Sequence, residues 1–244
     1  GRKKALVVDD NGANILVLAN LLDRCGVDAD TAESGMEAID KTCNSDYDII
    51  FMDYLMPDMD GVEATHQIVF VAKNDKKPII IGVSATVDDK LIDTFQKAGA
   101  SGVLKKPVKP MELKALLEKY NLINEKKEVK ESSDDEKDDL SFLAKVSGLD
   151  YKEGMSLMAG NLQNYMKVLN VSVRNILDNY NAIDAIRNTE QMEPMSLYFH
   201  SLKGIFLNIG ADGLAEKSKM MEYAAKEFEN HYVHNNMEQY MNMV

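Results

Sequence analysis

Five side chains stand where apolar runs end, and their types suit one chemistry. Asp9 and Asp10 follow Ala5-Leu6-Val7-Val8, and Asp53 follows Ile49-Ile50-Phe51-Met52. Ser84 follows Ile79-Ile80-Ile81-Gly82-Val83, and Lys106 comes just after Val103-Leu104. Crowded carboxylates repel one another unless they are protonated or bridged by a cation. Hard oxygen ligands favour Mg2+, which would offset charge on an incoming phosphoryl group while Asp53 attacks phosphorus as a carboxylate nucleophile. Ser84 offers a hydroxyl to a phosphoryl oxygen and Lys106 a point charge. Pro107 follows that lysine, and a cis bond there would set where it points. A single aspartate after a strand is ordinarily a loop or cap residue; the ordered set is what argues for chemistry.

A second phrase lies far downstream, His200-Ser201-Leu202-Lys203-Gly204. On a helix, His200, Lys203 and Gly204 share one face. Lys203 would pair with phosphate on the imidazole, and Gly204 would let a partner approach. A helix-interior glycine is unfavourable by about 1 kcal/mol relative to alanine, which suits a close-approach role. The two phrases together point to a phosphoryl group carried on an aspartate and on a histidine.

The elements that must position these residues are legible. Continuous apolar runs before Asp9 and Asp53 read as strands buried on both faces. A weaker strand spans Asp28 to Ala32. Helical patterns intervene through Ile15–Leu22, Met36–Thr42, Gly61–Ala72 and Val87–Ala98, and a last one starts near Pro110. Five strand–helix units predict an α/β doubly wound, five-stranded parallel sheet with helices on both faces. Functional residues of such sheets gather at the carboxyl ends of the strands.

From 124 to 139 the periodicity stops, and Lys, Glu, Asp and Ser dominate. This stretch reads as a charged linker, with the run Asp134-Asp135-Glu136 serving solubility and spacing. Residues 140–244 carry no strand pattern. A helical pattern from Met155 through Leu177 has Asn161 as an N-cap. Another runs from Pro194 to about Asn208 and stops at Gly210. Asp212 is expected to cap a third, and a weaker, short helix runs from Val233 to Met243. Such helices with short loops imply an all-α antiparallel bundle. The division is therefore 1–123, a linker 124–139, and 140–244.

Composition narrows the function classes. The chain has 244 residues, 45% of them hydrophobic and 28% charged. That length suits two modest domains. The net charge of -12 opposes nucleic-acid binding. No run is long enough for a membrane span, so no membrane contact by this segment is expected. The opening Gly1-Arg2-Lys3-Lys4 leads straight into a strand, as it would after removed upstream domains. Cys25 and Cys43 read as reduced thiols, which fits a cytoplasmic location. His231 and His234 have helical spacing but no further ligands for a metal cage. The many methionines read first as core filling, and any exposed near His200 would form an adaptable docking patch.

Val8-Asp9-Asp10-Asn11, the segment Met52 to Gly61, Val83-Ser84-Ala85 and Lys106-Pro107 resemble the response-regulator receiver family, over Lys3 to about Ile123. The resemblance implies a flavodoxin-like fold and Asp53 as phospho-acceptor. It also implies Asp9, Asp10, Asp53 and the Leu55 backbone carbonyl as Mg2+ ligands, with Ser84 and Lys106 as phosphoryl contacts. Val103 stands where output-switching receivers carry Tyr or Phe, so a Ser84-to-aromatic switch is not expected. Leu55 and Thr86 occupy the positions that influence hydrolysis, and Leu55 cannot orient a water, so slow self-dephosphorylation is expected.

The His200 phrase, with Asn208-Ile209-Gly210-Ala211, Leu214, Glu222, Gly148 to Gly154 and Tyr165, resembles a histidine phosphotransfer domain. That implies a four-helix bundle with an exposed phospho-accepting His200 and Lys203 as its phosphate partner. The whole resembles the C-terminal part of a hybrid sensor histidine kinase. Expected partners are an upstream histidine kinase and a downstream response regulator; any membrane anchor belongs to a longer protein. No ATP-binding kinase domain is visible. The rival reading is a phosphorylation-gated binding or dimerisation switch with the helical part as an interaction module.

Overall fold

A computed structural model describes residues 1–72, 77–123 and 140–244. The chain divides into two compact units, 1–131 and 132–244. The expected linker at 124–139 lies outside the described residues. Among the described residues, no helix is long and apolar enough to cross a membrane.

The first unit alternates strands and helices. They are β1 (Lys3–Val8), α1 (Gly12–Arg24), β2 (Val27–Ala32), α2 (Gly35–Asn44), β3 (Ile49–Asp53), α3 (Gly61–Val71), β4 (Ile79–Ser84), α4 (Asp89–Ala98), β5 (Gly102–Lys105) and α5 (Pro110–Lys119). The strands pair parallel in the order β2-β1-β3-β4-β5. Every residue of β3 is buried, as a strand covered by helices on both faces requires. Leu6, Ile50, Met52, Ile68, Ile80 and Phe95 lie in the core. Val103 is half-buried against that core, and Tyr54 meets Phe95 edge-on at 5.9 Å.

Local signals set the helix starts. Asn11 caps α1 by accepting from the amides of Ala13 and Asn14, and Ser34 caps α2 through Glu37 N. Helix α4 begins at Asp89 rather than Val87, because the Asp88 carboxylate accepts from Leu91 N and serves as the cap.

The second unit opens with a short 3-10 turn at Leu140–Lys145. It continues as α6 (Tyr151–Leu157), α7 (Leu162–Ile186), α8 (Met192–Ile209), α9 (Asp212–Lys226) and α10 (Asn230–Met243). The single pattern expected from Met155 through Leu177 is two helices. The chain leaves the helix at Ala159 (φ 50°) and Gly160 (φ 76°), then restarts at the Asn161 cap. Asp212 is the first helical residue rather than the cap, which is Ala211.

Helix α8 packs against α6, α7 and α9, and α10 packs on α9. Tyr165 donates to the Ile209 carbonyl at 2.9 Å, and Phe199 meets Tyr240 edge-on at 5.3 Å. Gly210 ends α8 at φ 82°, and a Cβ there would stand 2.0 Å from the Asp150 carbonyl oxygen. This glycine is thus required twice, by conformation and by space. Met158, Met192, Met195 and Met221 are buried, whereas Met220 is exposed.

Candidate functional site

The sheet brings its four polar strand ends to one edge. Asp9 directly follows β1 and donates its amide to the Ala32 carbonyl. Asp53 closes β3, level with Val83 of β4. Ser84 closes β4, and Lys106 follows β5, donating its amide to the Ser84 carbonyl at 2.8 Å. The bond from Lys106 to Pro107 is cis. Asp9, Asp53, Ser84 and Lys106 are all buried, and Asp10 is exposed. In this strand order the chain switches direction between β1 and β3, which is where the three aspartates converge.

Carboxylate oxygens of Asp9, Asp10 and Asp53 lie within 4.8 Å of one another. The Lys106 ammonium sits 2.6 Å from Asp9 Oδ2 and 2.6 Å from Asp53 Oδ1. Burial alone would lower the Lys106 pKa, but Asp53 and Asp9 hold it above its ordinary value, so it stays charged. Burial first, and the Asp9 charge second, push the Asp53 carboxyl well above the usual range, against the pull of Lys106. Asp10 is pushed up to about 6 by desolvation and then by Asp9, even though its side chain is reached by solvent.

One ammonium against three carboxylates leaves two negative charges when all are ionised. Asp53 Oδ1 is also buried with no hydrogen bond beyond that close ammonium. An all-oxygen donor set with surplus charge of -2 fits a hard divalent cation such as Mg2+.

Asn14, which the apolar periodicity did not single out, belongs to this cluster. Its amide donates to Asp9 Oδ1 at 3.0 Å and Oδ2 at 3.1 Å, and the Asn11 amide donates to Oδ1 at 2.9 Å. With Lys106, these donors fix the plane of the Asp9 carboxylate. Ser84 Oγ accepts from the Thr86 amide at 3.3 Å.

Gly61 sits against the same strand end. A Cβ there would fall 1.9 Å from the Asp53 carbonyl oxygen. Gly61→Ala is expected to displace the end of β3 and destabilise the first unit by about 3 kcal/mol. Urea melts would check this, and an unchanged midpoint would refute it.

The second unit holds its own charged cluster. His200 and Lys203 lie on α8 and Glu222 and Lys226 on α9. His200 is half-buried rather than openly exposed, its side chain 13% accessible, because α9 packs beside it. His200 Nδ1 is 2.8 Å from Glu222 Oε1, and Lys203 donates to Glu222 Oε2 at 2.5 Å. Lys226 donates to Oε1 at 2.5 Å. Burial alone would raise the Glu222 carboxyl, but His200 and Lys203 hold it well below the usual carboxylate range. A carboxylate only accepts, so His200 Nδ1 carries a proton and donates it toward Glu222. Glu222 was legible only as part of a longer phrase, and Lys226 was not singled out; packing against α8 makes both part of the histidine site.

His231 and His234 are exposed on α10. Among the described residues, Asp9, Asp10 and Asp53 form the one group with metal-ligand proximity. Cys25 and Cys43 are free thiols.

Residues 5–118 match the response regulator receiver domain. Two-component response regulator 24 of Arabidopsis thaliana is 35% identical over 118 residues, covering 48% of this chain and 83% of that protein. Hybrid signal transduction histidine kinase L of Dictyostelium discoideum is 34% identical over 122 residues, and the chain spans only 7% of its length. Sensor protein GacS of Pseudomonas syringae pv. syringae is 24% identical over 226 residues, 92% of this chain and 25% of that protein.

Proposed function

The chain belongs to the response regulator receiver family through residues 5–118, and from that premise we propose that it is a phosphorelay module, passing a phosphoryl group between Asp53 and His200. The division into receiver 1–123, linker 124–139 and phosphotransfer unit 140–244, with a four-helix bundle formed by α7 to α10, is part of this reading. It is further supported by the similarity to the GacS sensor protein, which extends across both units.

In the first unit Asp53 is the phospho-acceptor, and Asp9, Asp10, Asp53 and the Leu55 carbonyl would hold Mg2+. That ion supplies charge neutralisation for the phosphoryl oxygens. Ser84 and Lys106 contact the same oxygens. The expected outcome for Leu55→Asn is faster loss of the acyl phosphate, by about tenfold, because an amide can orient water where leucine cannot. A decay rate no faster than the parent would count against this.

The observation that carries the histidine half is the 2.8 Å contact from His200 Nδ1 to Glu222. It leaves Nε2 as the nucleophile. During transfer the acyl O–P bond of Asp53 breaks and an N–P bond forms at Nε2. The ring becomes an imidazolium whose Nδ1–H still faces the Glu222 carboxylate, so the new positive charge is met. Gly204 lies buried on α8, one turn from His200.

The proposed partners are a histidine kinase upstream and a response regulator downstream, in a cytoplasmic setting.

Phosphosite mapping after treatment with phosphoramidate and Mg2+ tests the reading. His200→Gln is expected to keep the fold and melting behaviour while blocking onward transfer. Relay unimpaired in that variant would refute the role of His200.

A further inference from the structure

The His200 cluster contains two lysines, and their surroundings assign them different work. Glu222 serves three donors with two oxygens. Oε1 faces His200 Nδ1 and Lys226 Nζ, and Oε2 faces Lys203 Nζ. The Lys203 side chain is 6% accessible and that of Lys226 is 45%. Lys203 Nζ also lies 3.5 Å from His200 Nδ1. Removing a buried ammonium from its carboxylate is strongly unfavourable, whereas a half-exposed pair of this kind is easily exchanged.

Charge accounting favours the same division. Before phosphorylation, the imidazole, one carboxylate and two ammonium groups make up the cluster. After it, the ring is an imidazolium, and Glu222 is satisfied by the ring and Lys203. The second lysine is then surplus beside a phosphoryl group of charge near -2. Its four-carbon stem lets it swing.

Resting on the reading of His200 as phospho-acceptor, we propose that Lys226 is the cation that contacts the phosphoryl group on His200, leaving Glu222 Oε1 when the ring is phosphorylated. Lys203 stays on Glu222 Oε2 and acts as a positioning residue for the carboxylate that orients the ring. Lys226 lies outside the His200 phrase, four residues beyond Glu222, so its part follows from the packing of α9 on α8.

The test uses the full chain with Asp53 intact, phosphorylated with phosphoramidate and Mg2+ and followed by phosphorus NMR across pH. Lys226→Gln is expected to raise the titration midpoint of the phosphohistidine by about half a unit, the size of a half-exposed charge pair. Lys226→Arg should restore the parent midpoint. An unchanged midpoint in Lys226→Gln, with phosphohistidine formed normally, overturns the assignment of Lys226 and leaves the relay standing. Absence of a His200-dependent phosphohistidine signal in the parent overturns the relay reading, and the Lys226 proposal with it.

Discussion

Asp53→Asn should yield a chain that forms no acyl phosphate yet unfolds at a higher temperature than the parent in magnesium-free buffer. The two effects have one origin. Asp53 is 2% accessible and stands among the carboxylates of Asp9 and Asp10, with a single ammonium to share. Its pKa is raised, so holding it ionised in the folded state is unfavourable. For a carboxylate with a raised pKa, the unfolded chain loses its proton first. Stability therefore falls as pH rises from the unfolded value of about 4 through the folded one. Asparagine has the same shape and no charge to desolvate, so this dependence should vanish. Lys106 keeps its partner Asp9 at 2.6 Å. The amide is no nucleophile, and phosphorylation should drop on the order of a thousandfold or more. Calorimetry across pH and phosphate labelling check both halves. A variant that still labels in the first unit would move the acceptor elsewhere; one that labels nowhere but melts lower would mean the charge of Asp53 is stabilising.

The sheet was legible because its inner strands are buried on both faces and so read as unbroken apolar runs, each ending in a polar residue. That placed Asp9, Asp10, Asp53, Ser84 and Lys106 at one edge before any coordinates. Element boundaries were less legible. Asp88 could not be told from its neighbours as a cap, and Ala159 adopts a positive φ that only the adjacent Gly160 hinted at. Least legible were the side chains that act across elements. Asn14 grips Asp9 from the first turn of α1, and Glu222 meets His200 from another helix. Their sequence surroundings look like ordinary helix surface, since periodicity records which face is buried and not which polar atoms meet there.

Glu222→Gln should damage the second unit more than any surface substitution, and for an identifiable reason. The carboxylate is nearly inaccessible and meets His200, Lys203 and Lys226. Gln preserves volume but leaves the buried Lys203 ammonium facing a neutral amide, which is expected to cost about 3 kcal/mol. The amide can also donate to His200 Nδ1, which would shift the ring proton to Nε2 and remove the nucleophilic lone pair. Phosphohistidine formation is expected to fall by about ten- to a hundredfold. The pH signature separates the charge from the shape. A carboxylate with a depressed folded pKa stabilises fully above its unfolded value of about 4.3, and that contribution is lost as pH falls toward the folded value. The parent helices α8 and α9 should therefore weaken below about pH 4, and the Gln variant should be weak at neutral pH with little further loss there from this group. Hydrogen exchange of the α8 and α9 amides at pH 7 and pH 3 would read this locally. Equal protection in parent and variant at both pH values would mean that the Glu222 contacts contribute nothing net, and that the orientation of the His200 ring is held by its packing alone.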